Sequence, residues 1–389
     1  MQDSPHAAME LGDREFFRVY ALIEYTSDEG FKVKLNQCIE YSPEGLAYSG
    51  GCPAGANYID YSSWLMIPAL CNAHIHLPDY FVAEHGEEMS LSELVEPPHG
   101  LKYKLLESVP EHKVEEAMGH AIKELWRLGV QCTAAYFELS GLGYRGAQRT
   151  ANSLGLDLRP FIQPKAKNLE EYIQVVEKYK GLGMDTVFDL SPDELSTLSA
   201  KALKAKGHIQ VHVSETIDEY EKRDYVIALE RLAPDNTSLV HLTQLGFSEL
   251  KTLAMNGFSM IFCPRSNNYH GLGLPPLVPS LKLWLAGDLT LLALGTDNAG
   301  WIPLDPLGEA QYAYIAMHSR ISNPYRLAEL LLYAITIGCQ RVVKCNKSSY
   351  ILLRLPEAKW SSNIIATIVK RGASSERMYV ERAIYGGNS

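Results

Sequence analysis

The 389-residue sequence contains no long apolar run and no run of basic residues. Its most apolar stretch, residues 283–295, includes Asp288 and is shorter than the roughly 18–20 apolar residues that span a bilayer. Lysine and arginine number 36 against 46 aspartate and glutamate, which gives a net charge of −10. We therefore expect neither a nucleic-acid nor a membrane partner. The polar, acidic first fifteen residues are unlike a secretory signal, so the sequence favours a cytoplasmic location.

The seven cysteines include no Cys-x-x-Cys pair. Because they are scattered and odd in number, we expect neither a disulfide framework nor a cysteine zinc site, and a reducing cytosol fits this pattern. The sequence also lacks a Gly-x-Gly-x-x-Gly segment after an early strand, which argues against a dinucleotide-binding fold. The remaining composition, 46% hydrophobic and 21% charged, is that of an ordinary globular protein.

The middle of the chain alternates short apolar runs with longer amphipathic runs, which is typical of repeated βα units. Strands are predicted at 65–71, 130–137, 158–162, 186–190, 208–213, 238–242, 258–263 and 290–294. Helices are predicted at 112–128, 169–180, 193–206, 217–232 and 248–255. Eight strands, mostly followed by helices, over about 275 residues predict an α/β chain folded as a (β/α)8 TIM barrel.

Both ends of the chain are rich in β-branched and aromatic residues, which favours strands. The strands expected there are 16–25, 31–41, 350–355, 363–370 and 377–383. The predicted organisation is a barrel at 65–340 and a small β-sandwich-like domain formed by both termini, residues 1–64 and 341–389.

Enzymes with a barrel of this kind carry their chemistry at the carboxyl ends of the strands. Four of the eight predicted strands end in histidine or aspartate, and the residues concerned are His74, His76, His212, His241 and Asp297. His74 and His76 point to the same side because alternate residues of an extended segment do so. Imidazole and carboxylate groups suit zinc or iron(II). Taken singly, Asp297 could merely cap a helix, but the joint placement at one rim predicts a metal-dependent catalytic site.

These segments resemble the metal-dependent amidohydrolase superfamily, and within it the deaminase and chlorohydrolase group that includes S-adenosylhomocysteine/methylthioadenosine, guanine and cytosine deaminases. The resemblance is carried by residues 68–76, 212–215, 240–241, 263–267, 271–273 and 294–298. It implies that one divalent metal, zinc before iron, is bound by His74, His76, His212 and Asp297. The predicted fourth strand ends without a lysine, which favours a site for a single metal ion.

The resemblance also implies the roles of three residues. Asp297 would take the proton of a metal-activated water, and Glu215 would protonate a ring nitrogen and then the leaving amine. His241 would orient the hydroxide and stabilise the developing charge. The implied reaction is hydrolytic deamination of an aminated heterocycle, such as a purine, pyrimidine or pterin, by a chain that is expected to form a homo-oligomer.

The residues that could contact the substrate are less well defined. The loop Pro97–Lys104 departs from the Leu/Trp-rich helix of purine deaminases in this group and brings in Lys102 and Lys104. These lysines could bind an anionic group of a small-molecule substrate, or they could be solvated. Further candidates follow the seventh and eighth strands: Asn267, His270 and Trp301. Trp301 could stack on a heterocycle or anchor a loop in the core.

Two other functions stay open. Opening of a cyclic amide, as in imidazolonepropionase-like relatives, or displacement of chloride would use the same water and release no ammonia. A barrel that has lost its chemistry and serves as a binding protein or scaffold is disfavoured, because every expected metal and proton-transfer position is filled.

Overall fold

The computed structural model of the protein describes residues 15–42, 45–222, 224–346 and 349–380. The first fourteen residues of the predicted terminal domain and the end of the strand predicted at 377–383 lie outside these ranges. Among the described residues, every helix is too short or too polar to cross a bilayer.

The strands, numbered in chain order, are β1 (Glu15–Thr26), β2 (Gly30–Ser42), β3 (Gly45–Ser49), β4 (Tyr58–Pro68), β5 (Leu70–His76), β6 (Val130–Phe137), β7 (Asp157–Ile162), β8 (Gly181–Met184), β9 (His208–Val213), β10 (Thr237–His241), β11 (Ser259–Phe262), β12 (Leu292–Leu294), β13 (Asp297–Asn298), β14 (Tyr350–Arg354) and β15 (Arg377–Tyr379).

The helices are α1 (Leu91–Val95), α2 (Leu101–Glu107), α3 (Glu111–Arg127), α4 (Glu138–Gly141), α5 (Tyr144–Ser153), α6 (Leu169–Tyr179), α7 (Pro192–Ala205), α8 (Ile217–Lys222), α9 (Tyr225–Leu229), α10 (Phe247–Met255), α11 (Pro264–Tyr269), α12 (Leu277–Ala286), α13 (Pro306–Met317), α14 (Pro324–Ala334), α15 (Ile337–Val343) and α16 (Ile364–Arg371).

The central sheet is parallel, with the strand order β12-β11-β10-β9-β8-β7-β6-β5-β13. Its edge strands β12 and β13 are separated in sequence only by Gly295 and Thr296. The sheet therefore curls until its two edges approach each other. Thr296 and Asn72 of β5 reinforce this junction, because the side-chain amide of Asn72 bonds both the hydroxyl and the backbone N–H of Thr296. Residues of β5, β6, β10 and β11 are buried on both faces, as parallel sheets require.

Most predicted strands of this sheet are confirmed, but the fourth is wrong. Residues 186–190 were expected to form it, whereas β8 lies earlier and Val187–Asp189 forms a 3-10 turn. The sequence of β8, Gly-Leu-Gly-Met, has a poor strand propensity. Packing nonetheless requires glycine at position 183, because a Cβ on Gly183 would lie 2.6 Å from the Cε1 atom of Tyr136. The predicted first strand at 65–71 divides between β4 and β5.

The strand predicted at 363–370 is also wrong, because these residues form helix α16. The side chain of Asn363 accepts a hydrogen bond from the backbone N–H of Ala366, 2.8 Å away, and so caps the helix. Ile365, Ile368 and Val369 are buried at helical spacing. One apolar face and one cap thus outweigh the β-propensity of the isoleucines. The helix predicted at 217–232 is interrupted and forms α8 and α9.

The second sheet combines strands from both ends of the chain, in the order β15-β14-β4-β1-β2-β3. The described strands lie in one six-stranded sheet, in which β1 and β4 are parallel and the other pairs antiparallel. Strand β4 ends at Pro68 and β5 begins at Leu70, so this sheet leads directly into the central one. The predicted domain limits and the sandwich-like form stay predictions.

The prediction that the chain has no disulfide framework is wrong. The structure contains the pairs Cys38–Cys52, Cys71–Cys339 and Cys132–Cys345, and leaves Cys263 buried and free. Cys71 and Cys132 are aligned on neighbouring parallel strands, and their partners follow 268 and 213 residues later. Spacing along the chain does not reveal such neighbours. The cysteine pattern therefore gives no support to a reducing compartment.

Gly295 generates a test of how the curled sheet fits together. A Cβ at this position would lie 2.6 Å from Cβ of His74 and 2.8 Å from its backbone nitrogen and oxygen. We expect Gly295→Ala to destabilise the protein by roughly 1–3 kcal/mol, as overpacking does, and to reduce bound metal because His74 must move. Thermal denaturation and elemental analysis measure both effects.

The matched control is Gly119→Ala on helix α3, where the nearest neighbour, Thr150, is 3.8 Å away. That change should be neutral or stabilising, because alanine exceeds glycine in helix propensity by about 1 kcal/mol. Equal melting temperatures for the two variants would contradict the argument.

Candidate metal and active site

Four side chains bring potential metal ligands into one buried cluster at the carboxyl ends of the strands. They belong to His74, His76, His212 and Asp297, and we call them the metal-ligand cluster. Oδ1 of Asp297 lies 3.2 Å from Nε2 of His74 and 3.4 Å from Nε2 of His76. Nε2 of His212 lies 3.3 Å from Nε2 of His74. Ligand atoms that share one tetrahedral zinc ion, with bonds of about 2.0–2.1 Å, stand roughly 3.3 Å apart. The donor set and its spacing therefore fit a single divalent metal ion.

The backbone at the strand ends is unusual at two of the predicted site residues. Asp297 has a φ of 66° and His241 a φ of 72°, both in the left-handed region. Such conformations cost free energy for residues other than glycine and are concentrated at functional sites. Asp297 and His241 are also each only 1% exposed, so at both positions the unusual backbone carries a buried side chain.

Burial and mutual contact keep the imidazoles of His212 and His241 neutral. Burial, together with the nearby imidazoles of His74 and His241, lowers the pKa of His212 well below its usual value. Burial lowers the pKa of His241 to about 3, although Asp297 opposes the shift. Burial would raise the pKa of Asp297, but its contact with Nε2 of His74 and the electrostatic influence of His241, His74 and His76 outweigh burial and hold that pKa well below its usual range. Neutral imidazole and ionised carboxylate are the forms that bind metal.

Partners outside the cluster fix the orientation of its rings. Nδ1 of His74 lies 2.7 Å from Oε1 of Gln210, whose amide nitrogen donates to the carbonyl of Ala73 at 3.1 Å. Since this leaves the oxygen of Gln210 facing the ring, Nδ1 of His74 carries the proton and Nε2 presents its lone pair to the cluster. Ser266 donates its hydroxyl to Oδ2 of Asp297 at 2.6 Å, which leaves Oδ1 toward the histidines.

A buried chain of charges extends from His76. Its Nδ1 lies 2.5 Å from Oε1 of Glu138, and the same oxygen accepts a bond of 2.8 Å from Lys102. Nζ of Lys102 also lies 3.3 Å from Asp79. Burial alone would raise the pKa of Glu138, yet the charges of Lys102 and His76 hold it far below its usual value. Burial raises the pKa of Asp79 to about 6, with Lys102 opposing.

Glu215 and His241 lie beside the metal-ligand cluster. Their ligand atoms and that of Asp297 all lie within 4.8 Å of one another, with Oε2 of Glu215 at 3.7 Å from Nε2 of His241. The amide nitrogen of Asn267 lies 3.1 Å from Nδ1 of His241, so Asn267 donates and the proton of His241 sits on Nε2. The predicted proton-transfer residues are thus brought together, with the N–H of His241 toward Glu215.

These residues open into a cavity of about 740 Å³. Lys102 and His270 line it, and so does residue Pro97 of the loop after the first strand of the curled sheet. Asn267 is buried behind His241 and lies outside the lining. Trp301 also lies outside the lining, and its indole N–H donates to the carbonyl of His85 at 2.9 Å. The ammonium group of Lys102 is held by two carboxylates, and Lys104 is exposed outside the cavity.

The sequence analysis assigned no role in holding the metal-ligand cluster to four residues that do so, namely Gln210, Ser266, Glu138 and Asp79. Gln210 shares one face of β9 with His212 and could have been inferred from that alternation. Glu138 directly follows β6, and this position in the sequence indicates only that its side chain lies at the rim of the curled sheet. Asp79 lies in a 3-10 turn, where nothing in the sequence pattern points to the site.

Comparison with known proteins fits this geometry. The model of the amidohydrolase family matches residues 65–337, which is more than half of the chain and includes every residue of the metal-ligand cluster. The chain belongs to the amidohydrolase family. It is 25% identical over 292 residues to the 5-methylthioadenosine/S-adenosylhomocysteine deaminase of Pyrococcus furiosus, covering 68% of this chain and 67% of that protein. The family and its relatives support a hydrolase of the aminohydrolase type.

Solved structures share the fold of this amidohydrolase at low sequence identity. The guanine deaminase of E. coli superposes with a TM-score of 0.72 at 16% identity, over 92% of this chain and 95% of that one. The atrazine chlorohydrolase of Arthrobacter aurescens, solved with zinc, has a TM-score of 0.73 at 15% identity over 92% and 91%. At such identities the likeness shows the fold alone.

The buried ion-pair chain predicts an effect of Lys102 on metal binding. Removing its charge in Lys102→Met leaves two buried carboxylates without their cation, which typically costs about 3–5 kcal/mol of stability. Glu138 would then hold the ring of His76 less firmly. We expect metal affinity, measured by competition with a chelator, to fall roughly 10–100-fold, as it does for other second-layer partners.

Lys104→Met is the control, because Lys104 lies on the same helix α2 but is exposed. Glu138→Gln tests the same link while keeping the side-chain size. Unchanged metal affinity in folded Lys102→Met and Glu138→Gln would show that the chain of charges does not orient His76.

Proposed function

We propose that this amidohydrolase deaminates an aminated heterocycle, with release of ammonia, on a (β/α)8 barrel that segment 292–298 closes. The observation that carries the proposal is the buried meeting of three imidazoles with the carboxylate of Asp297, beside Glu215 and His241 in one cavity. The ligands would be His74, His76, His212 and Asp297, with zinc before iron(II). When bound, such a metal makes water a nucleophile near neutral pH.

The residues around the cluster have suitable positions for the proton transfers. Asp297 is ionised and buried, with Oδ2 held by Ser266 and by Asn298 at 3.0 Å. It would accept the proton of the attacking water. Glu215 lines the cavity next to His241 and would pass a proton to a ring nitrogen and then to the leaving amine. The N–H of His241, oriented by Asn267, would stabilise the negative charge on the oxygen that adds to the attacked carbon.

The cavity has the size and the walls expected for a ring substrate. Its volume of about 740 Å³ lies within the ~300–1,000 Å³ of small-molecule sites. Apolar side chains also line it, among them Leu91, Val95, Ile217 and Leu272. His270 adds an imidazole that burial keeps neutral by lowering its pKa. These surfaces can pack against the faces of a heterocycle while its edge meets Glu215.

The charge of the cavity favours a neutral or cationic substrate over an anionic one. Lys102 is the one lysine or arginine among the described lining residues, and Glu138 and Asp79 already bind it. Carboxylates of Glu96 and Asp218 also line the cavity. We therefore propose that Lys102 positions the site and does not bind an anionic group of the substrate.

Ammonia release by the zinc-loaded protein tests the reaction. A panel of aminated purines, pyrimidines, pterins and triazines should contain one class that is deaminated. Glu215→Gln should lower kcat by roughly 10²–10⁴-fold while metal content stays unchanged, because it removes the proton carrier. Glu230→Gln, exposed on the surface, serves as the control and should keep full activity.

The outcomes separate the candidate functions. Chloride release or ring opening without ammonia would replace deamination by one of the other hydrolytic reactions. Metal-loaded protein that turns over no member of the panel would favour the interpretation as an inactive binding protein.

The carboxylates that line the cavity predict a preference between matched substrates. For a nucleoside and its 5′-monophosphate with the same base, we expect the neutral compound to have the higher kcat/KM, by roughly tenfold, since like charges in the cavity cost about 1.4 kcal/mol. Steady-state kinetics at constant ionic strength measures the ratio. Equal or better turnover of the phosphorylated compound would return Lys102 or Lys104 to the role of anion binder.

A further inference from the structure

Four of the seven cysteines meet at the end of the curled sheet opposite the candidate active site. Cys71 lies at the start of β5 and Cys132 near the start of β6, in register with each other. Cys339 lies on helix α15, and Cys345 follows that helix by two residues. The first three are fully buried and Cys345 is partly exposed. We call these four residues the cysteine cluster.

The two disulfides of the cysteine cluster are not isolated from each other. The sulfur atoms of Cys71, Cys132 and Cys345 all lie within 4.8 Å of one another, and Cys339 is bonded to Cys71. The Cα atoms of the bonded pairs are 5.7 and 6.0 Å apart. We propose that, in the reduced chain, these four thiolates bind one soft divalent metal ion such as zinc, separate from the candidate active site.

The donor set and its spacing carry this proposal. A tetrahedral zinc site with four cysteine ligands has Zn–S bonds of about 2.3 Å, so its sulfurs stand roughly 3.8 Å apart. Three sulfurs within 4.8 Å of one another need only small side-chain rotations to reach that spacing. Two of the donors stand on neighbouring strands of a parallel sheet, which fixes their separation. Thiolate ligands select soft metals such as zinc over magnesium or calcium.

The surroundings contain charge of both signs. Arg159 donates to the carbonyl of Lys344, the residue before Cys345, at 2.8 Å, and Nζ of Lys344 donates to the carbonyl of Asp235 at 2.6 Å. Asp157, aligned with Cys132 on the next strand, pairs with Arg159 at 3.2 Å. The charge of Asp235 also acts on Lys344, so two cations and two carboxylates stand near the cysteine cluster and nearly balance each other.

The disulfide form is then the metal-free, oxidised state of the same cluster. Each disulfide forms from two thiolates, whose two electrons reduce one molecule of a peroxide to water with the uptake of two protons. The metal ion leaves when its ligands are joined. In the metal-bound state and in the disulfide state alike, the cysteine cluster links helix α15 and the residues after it to strands β5 and β6.

Cobalt(II) substitution tests the proposal without reference to activity. The full chain is reduced with a phosphine under nitrogen and titrated with Co²⁺. Only sulfur ligands give intense thiolate-to-cobalt charge-transfer absorption, and the candidate active site offers nitrogen and oxygen ligands. We expect about two cobalt ions per chain, of which one produces the charge-transfer band. Peroxide should remove that band and that ion.

Matched variants locate the ion. Cys345→Ser, at the exposed edge of the cysteine cluster, should lose the band and about one equivalent of cobalt. The double change Cys38→Ser with Cys52→Ser should keep both, because this pair lies on and beside β2 of the other sheet. A band that survives Cys345→Ser and disappears from the double variant would overturn the assignment.

A measurement on the unaltered chain tests the proposal even where a variant fails to fold. Alkylation of reduced protein with and without Co²⁺, followed by mass mapping, should show metal-dependent protection of Cys345, the partly exposed member of the cysteine cluster, and none of the partly exposed Cys52. Reduced protein that binds a single cobalt ion with no charge-transfer band, or thiols that the metal does not protect, would overturn the proposal. Neither result would affect the proposed deaminase, whose ligands contain no sulfur.

Discussion

The ionised carboxylate of Asp297, buried among imidazoles, is the interaction on which the rest of the structure depends. A charge in this position is tolerated because polar groups surround it: Ser266 and Asn298 donate hydrogen bonds to Oδ2, and Oδ1 lies beside Nε2 of His74, another proposed metal ligand. Three chain segments must meet to supply them. The curled sheet achieves this by joining β13 to β5, with Asp297 paired to Ile75 in register. Closing the sheet and assembling the ligands are therefore one structural event.

The same requirement explains the charges that lie farther out. His76 needs a carboxylate to hold its ring, Glu138 needs a cation because it is buried, and Lys102 supplies that cation. A lysine that balances buried carboxylates is not free to bind a substrate. The cavity beyond it is left with an excess of carboxylates, so the way in which the metal-ligand cluster is held also shapes what the cavity can accept.

Strand β5 connects two chemically different ends of the molecule. Its carboxyl end bears His74 and His76, two proposed nitrogen ligands beside the cavity, and its amino end bears Cys71 in a closed sulfur cluster. This division follows the general asymmetry of parallel βα folds, in which the loops at the carboxyl ends carry chemistry and the amino ends carry stability. Only the first of these sites is accessible to a ring-sized molecule, because three of the four cysteines are fully buried.

The sequence by itself determined which candidate ligands lie near the carboxyl ends of the strands of the central sheet. Alternation along a strand places His74 beside His76, and parallel strands bring their ends to one edge, so local pattern sufficed. The tertiary structure decided the rest. It set the partners of Lys102, the pairing of cysteines more than two hundred residues apart, and the strand at β8, where Tyr136 requires glycine. It also made 363–370 a helix, since its apolar face had helices to pack against. The physical reason is that burial and contact between distant segments do not follow from spacing along the chain.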